Sequence, residues 1–285
     1  LNTEDSYSKK QKQTLIEWHR RLGHRNFIDV AKTIGLPRLS NPPSCIDCTL
    51  GKGKQTPRGT KKSNFRPLQT STRPGEIWHM DAFYVRTPTR GGCQYGIVLV
   101  DDYSRRTKLF LVPSLSDAAF QDRLLAFFNE IEAEKNSTRV IRALQTDGGK
   151  VFVSTAMKTS LEKRGIQLRI SPPRTPELNG VAERHVRTIK EMTRTMIIAA
   201  GAPFYLWGEA AKYACHIMDN TLRHTGKAAH DKFIPLEKWQ GKSIGNAHRN
   251  LRTWGCAVYI ILCRKQTPPH TQSSSPNRAV YISRV

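Results

Sequence analysis

The feature that most constrains the fold is the order of strand-like and helix-like segments along the chain. From residue 77 onward, three strand-like segments at 77–85, 95–101 and 107–113 follow one another, separated by short turns. A helical pattern at 116–135 comes next, and shorter strands then alternate with helices. Consecutive strands favour antiparallel pairing, and strands joined by helices favour parallel pairing. We therefore predict an α/β fold built on a mixed sheet flanked by helices.

The same periodicity predicts the remaining elements and a division of the chain. We predict strands at 140–146 and 167–171, helices at 10–34 (interrupted by Gly23), 154–164, 181–200 and 205–222, and a loop at 172–180. The predicted units are a small helical module at 10–55, a basic linker at 56–75, the α/β core at 76–222 and a basic segment at 223–285 that ends in a loose tail. Because the chain begins at Leu1 without a signal-peptide pattern, we expect a fragment of a longer protein.

The charge of the chain points to a polyanionic partner. The 285 residues carry a formal net charge of +23, and most of the acidic residues lie in the central α/β region. Such an excess favours nucleic acid binding, with a merely soluble basic protein as the alternative. No apolar run is long enough to span a bilayer, which argues against a membrane protein.

Four potential metal ligands occur close together in the first module: His19, His24, Cys45 and Cys48. Two imidazoles and two thiolates make a closed tetrahedral zinc set. On one continuous helix the two histidines would diverge, so Gly23 must break the helix and let His24 turn back. The alternative is a redox Cys-x-x-Cys pair, but no thioredoxin-like βαβ unit accompanies it. We predict one structural zinc, and that chelation unfolds residues 10–55 and spares the strands.

Three carboxylates of the central region are candidates for a second metal site. Asp81 lies in the first predicted strand, Asp147 follows a later strand, and Glu183 lies in the first turn of the helix at 181–200. Such hard oxygen donors suit Mg²⁺ or Mn²⁺, and two ions of this kind can promote an in-line phosphoryl displacement. The alternative is that they are ordinary turn and helix-start residues.

Other carboxylates compete for this role. Asp101 and Asp102 precede Tyr-Ser-Arg and are better interpreted as turn residues. Glu177 falls in the predicted loop, where its rotamer would not be held, and Asp219 is a further rival.

The helix that carries Glu183 also offers a cationic row. Arg187, Lys190 and Arg194 follow at steps that place them on the face of Glu183, whereas most apolar residues fall on the other side. Such a face can hold a phosphate backbone beside a metal, although a solvated charged face is the simpler alternative. We predict DNA contacts from these three residues and from Arg184.

Several motifs together resemble the integrase region of copia-type (Ty1/copia-like) LTR retrotransposon polyproteins. The first module contributes Trp18-His-x-Arg-Leu-Gly-His24, Cys45-x2-Cys48 and Gly51-Lys52. The core contributes His79-x-Asp81, Val100-Asp-Asp-Tyr-Ser-Arg, Gln145-Thr-Asp147-x-Gly149 and Ser171-Pro-x-x-Thr-Pro-x-x-Asn-Gly-Val-Ala-Glu-Arg184. Asp147 and Glu183 are separated by 35 residues, as is usual in that family. The sequence departs from the pattern at Gly148 and Val151, where Asn and an acidic residue are usual.

The resemblance implies an RNase H-like fold and a D-D-E polynucleotidyl transferase. Asp81, Asp147 and Glu183 would bind two Mg²⁺ or Mn²⁺ ions. His19, His24, Cys45 and Cys48 would bind one zinc ion. The implied reactions are 3′-end processing of the element's cDNA and strand transfer into target DNA. The implied partners are double-stranded DNA and further copies of this chain.

Two other functions remain open at this stage. One is a catalytically decayed, zinc-containing nucleic-acid-binding remnant, and the other is an RNase H-type nuclease. Paired cysteines without a secreted disulfide framework favour a reducing compartment. For an integrase we expect the nucleus, after a cytoplasmic particle stage.

Overall fold

A computed structural model describes the chain at residues 8–37, 42–52, 71–137, 139–147, 149, 152, 154–171, 176–224, 232–260 and 280–282. The predicted tail at 267–277 and most of the basic linker lie outside these ranges, as do Gly148 and Val151. Within the described ranges, no helix is both long and apolar enough to cross a membrane.

The N-terminal module consists of three short helices. They are α1 (Lys9–Arg21), α2 (Phe27–Thr33) and α3 (Ile46–Gly51). Ser8 caps α1 through a capping box with Gln11. The predicted interruption at Gly23 is confirmed, because α1 ends at Arg21 and Gly23 has a left-handed φ of 59°. The sequence did not predict α3.

A five-stranded mixed sheet forms the centre of the molecule. Its strands are β1 (Ile77–Tyr84), β2 (Tyr95–Asp101), β3 (Thr107–Val112), β4 (Ala143–Thr146) and β5 (Gln167–Ile170). Their order is β3-β2-β1-β4-β5, with β1, β2 and β3 antiparallel and β1, β4 and β5 parallel. The predicted mixed sheet flanked by helices is confirmed, and β2 begins and ends where the sequence predicted.

Helices cover both faces of the sheet. They are α4 (Asp117–Glu134), α5 (Thr155–Lys163), α6 (Pro176–Ala200), α7 (Trp207–Asn220) and α8 (Pro235–Gln240). Two short antiparallel pairs complete the fold: β6 (Arg223–His224) with β7 (Lys232–Phe233), and β8 (Val258–Ile260) with β9 (Val280–Ile282).

Each sheet face has its own apolar core. One core joins Trp78 and Met80 of β1 with α4, α5 and Trp239 of α8. The other joins Phe83 of β1 with α6, α7 and the N-terminal module, whose buried Leu15, Leu22, Val30 and Ala31 belong to it. The small module therefore has no separate core and is completed by the helices of the central region, as a unit of its size requires.

The start of α6 differs from the sequence prediction. We predicted a loop at 172–180, but α6 begins at Pro176, and Pro is favoured at the first helical turn. Glu183 consequently lies in the interior of the helix and not in its first turn. Glu177, predicted in the loop, lies in the first turn of α6.

Candidate active site and metal centre

The four predicted zinc ligands converge in the N-terminal module. Donor atoms of His19, His24, Cys45 and Cys48 all lie within 4.8 Å of one another. Cys48 Sγ lies 3.2 Å from His19 Nε2, and Cys45 Sγ lies 3.4 Å from His24 Nδ1. In the described part of the chain, no other group of three or more His, Cys, Asp or Glu residues is arranged in this way.

The backbone and the neighbouring groups orient these ligands. His24 has a φ of 59°, so two successive left-handed residues turn its ring back toward His19. His19 presents Nε2 to the cluster because its Nδ1 lies 2.7 Å from the Arg25 carbonyl, to which it donates. Phe27 stacks on the His19 ring at 4.0 Å between centroids. Metal-ligating histidines usually donate their other ring N–H to a carbonyl or carboxylate, as His19 does to Arg25.

The donor chemistry fits zinc. Burial lowers the pKa of His19 to about 3 and that of His24 to about 4, so both rings are neutral at physiological pH and can coordinate a metal. Burial raises the pKa of the Cys48 thiol to about 11, so its deprotonation depends on a cation being bound. Two neutral imidazoles and two thiolates make a closed structural site.

The strand register brings Asp81 and Asp147 to the same level of the sheet. β1 and β4 are parallel neighbours in which His79 is paired with Gln145. Asp81 and Asp147 each lie two residues farther along, and side chains two residues apart on a strand point to the same face. Gly149 N–H donates to Asp147 Oδ1 at 3.1 Å, which holds the carboxylate just after the strand ends.

Glu183 reaches this face from α6, which packs across β1 and β2. Burial, together with the negative charges of Asp147 and Glu183, raises the pKa of Asp81 to about 6, whereas the Ala82 N–H and Lys190 oppose the shift. The three carboxylates are thus electrostatically coupled, although they are less tightly grouped than the zinc ligands. Repulsion among them is the property of a cation site, and their oxygen donors fit Mg²⁺ or Mn²⁺.

The raised pKa of Asp81 has a consequence for stability. Asp81→Asn is expected to stabilise the protein by about 3 kcal/mol at neutral pH when no Mg²⁺ or Mn²⁺ is added, since one pKa unit corresponds to about 1.4 kcal/mol. A pKa that is raised in the folded state means that the ionised carboxylate destabilises the fold. The stabilisation by Asp81→Asn should therefore increase from about pH 4, the pKa of Asp in the unfolded chain, to about pH 6, and should stay constant above pH 6. Asn can still accept the hydrogen bond from Ala82.

Thermal unfolding of the zinc-loaded protein across this pH range measures the effect. Asp122→Asn is the matched control, because Asp122 is exposed on α4. Equal melting temperatures for Asp81→Asn and the unsubstituted protein at neutral pH would contradict the electrostatic account.

A cavity of about 420 Å³ lies beside two of the carboxylates, lined by Asp81 and Glu183. The predicted cations Arg187, Lys190 and Arg194 also line it, so the structure brings these three to the carboxylates. Arg184, also predicted to bind DNA, is exposed on α6 and is not among the lining residues.

The N-terminal module contributes Gly51 and Lys52 to the same cavity. Sequence reasoning assigned no role to either residue. Their position three and four residues after Cys48, within the motif that resembles the copia-type module, was the available signal.

The rival carboxylates Asp101 and Asp102 organise the turn after β2, as predicted. Asp101 is fully buried and accepts hydrogen bonds from the Ser104 N–H and hydroxyl at 2.7 and 2.6 Å. Asp102 accepts from His79 and Arg105, both at 3.0 Å. Burial alone would raise the pKa of Asp102, but these hydrogen bonds hold it well below its usual range. The carboxylate oxygens of Asp101 and Asp102 accept hydrogen bonds around the turn, so neither residue is available to bind a cation.

Asp219 also has a structural role. It lies on α7 and accepts the backbone N–H of Thr107 at 2.9 Å, which ties this helix to β3. Burial raises the pKa of Asp219 to about 7, an effect that its cationic neighbours Arg106, Arg223 and Lys108 oppose. It is not among the residues that line the cavity.

Comparisons with known proteins identify relatives of this chain by sequence. The profile of the integrase core domain family matches residues 71–176. The chain is 26% identical over 269 residues to the retrovirus-related Pol polyprotein from transposon TNT 1-94 of Nicotiana tabacum, covering 91% of this chain and 19% of that protein. It is 29% identical over 255 residues to the Pol polyprotein from transposon RE2 of Arabidopsis thaliana, covering 87% and 16%. The chain thus spans less than a fifth of these relatives.

Two solved structures are also similar. A chain of the simian T-cell lymphotropic virus intasome in complex with the PP2A regulatory subunit B56 gamma matches with a TM-score of 0.48 and 16% identity, covering 67% of this chain and 60% of that one. The catalytic core domain of BIV integrase matches with a TM-score of 0.43 and 16% identity, covering 59% and 95%. The sequence relatives and the match of residues 71–176 to the integrase core domain family support a copia-like retrotransposon integrase.

Proposed function

We propose that this chain is a metal-dependent polynucleotidyl transferase that processes the 3′ ends of element cDNA and joins them to target DNA. One observation carries the proposal: the carboxylates of Asp81, Asp147 and Glu183 act on one another electrostatically, and two of them, Asp81 and Glu183, line a cavity with a cationic wall. An anionic cluster that attracts divalent cations, next to cations that attract phosphate, suits the transfer of a phosphodiester.

Asp81, Asp147 and Glu183 would hold the two Mg²⁺ or Mn²⁺ ions. The bound ions would activate the attacking oxygen and offset the negative charge on the reacting phosphate. The hydrogen bonds from Ala82 to Asp81 and from Gly149 to Asp147 keep two of the carboxylates oriented before substrate arrives. Such preorganisation lowers the cost of reaching the reactive geometry.

The side chains of the cavity wall position the DNA. Arg187, Lys190 and Arg194 would contact backbone phosphates on either side of the reacting bond. In the first reaction water attacks a phosphodiester near the cDNA 3′ end and a 3′-hydroxyl leaves. In the second, that hydroxyl attacks a target phosphodiester and displaces another 3′-oxygen. Neither reaction requires a covalent bond to the protein.

The remaining features follow from the same proposal. The His19, His24, Cys45 and Cys48 cluster would bind one structural zinc. Double-stranded DNA would be the partner. Because two cDNA ends must be joined to one target, the working form would contain at least two copies of the chain. The site of action would be the nucleus.

A joining assay tests the proposal and separates it from its rivals. The chain is incubated with a labelled blunt-ended duplex, a plasmid target and Mg²⁺ or Mn²⁺, and the expected products are covalent joints between the two DNAs. Salt-sensitive binding without joining at any metal concentration would instead indicate a nucleic-acid-binding remnant. Degradation of an RNA–DNA hybrid without joining would indicate an RNase H-type nuclease.

A further inference from the structure

We propose that Lys52 of the zinc module is a DNA-phosphate contact in the catalytic cleft of the same chain. The inference rests on the proposed function, since it names a further positioning residue for that reaction. The two residues of the Gly51-Lys52 motif then have distinct physical roles. Gly51 allows the module to approach α6, and Lys52 extends the cationic wall.

The approach of the two units depends on the absence of a side chain at position 51. A Cβ on Gly51 would lie 2.8 Å from Thr195 Cα on α6, and backbone atoms cannot yield as a flexible side chain can. Gly51 is buried in this contact. Arg194 Nη1 donates to the Gly51 carbonyl at 3.4 Å, which joins the cationic row of α6 to the end of α3.

The fold of the zinc module sets the position of Lys52. Its ammonium donates to the carbonyl of His24, one of the predicted zinc ligands, and its residue lines the cavity with Asp81 and Glu183. Lysine carries three donor hydrogens, so this bond leaves two for a phosphate. Metal binding would hold the ligand residues, and through them this lysine, in place before DNA arrives.

The charges lining the cavity suit a strand of DNA. The cations are Lys52, Arg187, Lys190 and Arg194, and the anions are Asp81, Glu183 and Glu191. Divalent ions at Asp81 and Glu183 would offset two of the anions and leave the cations to neutralise phosphates. Lys52 lies on a different element from the other three cations, so the strand would be held between α6 and the zinc module.

The salt dependence of DNA binding tests this role. Lys52→Gln is expected to weaken binding of a short blunt-ended duplex about 3- to 10-fold at low salt, and to lower the slope of log affinity against log salt by ~0.9, the change for one lost phosphate contact. Lys52→Arg should retain most of the affinity because it keeps the charge. Lys12→Gln is the control, since it removes a lysine exposed on α1 of the same module.

A second measurement uses the unsubstituted residue, so it does not depend on the folding of a variant. Bound duplex should protect Lys52, but not Lys12, from acetylation, as read by mass spectrometry. When the acetylation is measured in the Asp147→Asn variant, the protection reports on DNA binding independently of catalysis. Failure of the unsubstituted chain to join DNA, with Lys52 still protected, would overturn only the proposed function. An unprotected Lys52, or an unchanged salt slope in zinc-loaded Lys52→Gln, would overturn the contact and leave the lysine as a support of the His24 carbonyl.

Discussion

Asp147→Asn is expected to lower the rate of strand transfer by about 10³-fold or more. A carboxylate that binds a catalytic cation contributes several kcal/mol to transition-state stabilisation, and ~1.4 kcal/mol corresponds to a tenfold change in rate. Asn preserves the size of the side chain and can accept the hydrogen bond from Gly149, so the loop should keep its conformation. The loss would therefore come from charge.

Glu183→Gln should have an effect of the same size, and the double variant should be no worse than either single one. Residues that act as one unit show this non-additivity, because removing either member already disables the site. Product formation in a time course with Mg²⁺ and with Mn²⁺ measures all three variants. Asp122→Asn on the exposed face of α4 serves as the control and should leave the rate unchanged.

DNA binding distinguishes catalytic loss from misfolding. Both carboxylate variants should bind the duplex at least as well as the unsubstituted chain in the absence of divalent ions, because each loses a negative charge near the phosphates. Joining that survives both single substitutions would exclude Asp147 and Glu183 as the catalytic pair. Loss of joining together with loss of binding would assign the effect to the fold.

Cys48→Ser is expected to cost more than about 4 kcal/mol of folding free energy, the range in which the loss of a structural metal falls. This corresponds to a lower melting temperature by roughly 10 °C or more for a chain of this size. Serine replaces a thiolate donor with a hydroxyl, which zinc binds poorly. Chelation of the unsubstituted protein should produce the same change.

The shared core determines where the destabilisation spreads. The buried residues of α1 and α2 pack in one cluster with α6 and α7. Even Gly23 approaches these helices closely, since a Cβ there would lie 2.8 Å from Ile217 Cδ1. Loss of zinc should therefore increase hydrogen exchange in α1 to α3 and then in α6 and α7. The opposite face of the sheet, covered by α4 and α5, should remain protected.

This outcome differs from the expectation that the sequence alone supports, in which only residues 10–55 unfold. Hydrogen-exchange mass spectrometry before and after chelation, with metal analysis, decides between them. Cys256→Ser, at an exposed position, is the matched control and should retain one zinc per chain. A chain that binds no zinc, or that melts unchanged after chelation, would remove the structural role of the cluster.

Local pattern was sufficient to predict much of this protein. The length and apolar content of the runs predicted the five strands of the mixed sheet, including β2, which is buried on both faces and therefore appears as a continuous apolar run. Gly23 predicted the break that turns His24 back, since only a residue tolerant of positive φ can end a helix in this way. The zinc quartet was predictable because its ligands are close in sequence and few in kind.

Other features depended on contacts between distant segments. The first residues of α6 were predicted as loop because Pro176 and Gly180 are common in turns, but proline is also favoured in the first turn of a helix, and α6 begins at Pro176. Asp81 and Asp147 could be proposed from the sequence, but the pairing of β1 with β4 decides that they share a level of the sheet. No local sequence pattern predicted that Lys52 lies near Glu183. Nor did any predict that α1, α2, α6 and α7 share one core. Side-chain periodicity reports which face of an element is buried, whereas the identity of its neighbour is decided only when the whole chain packs.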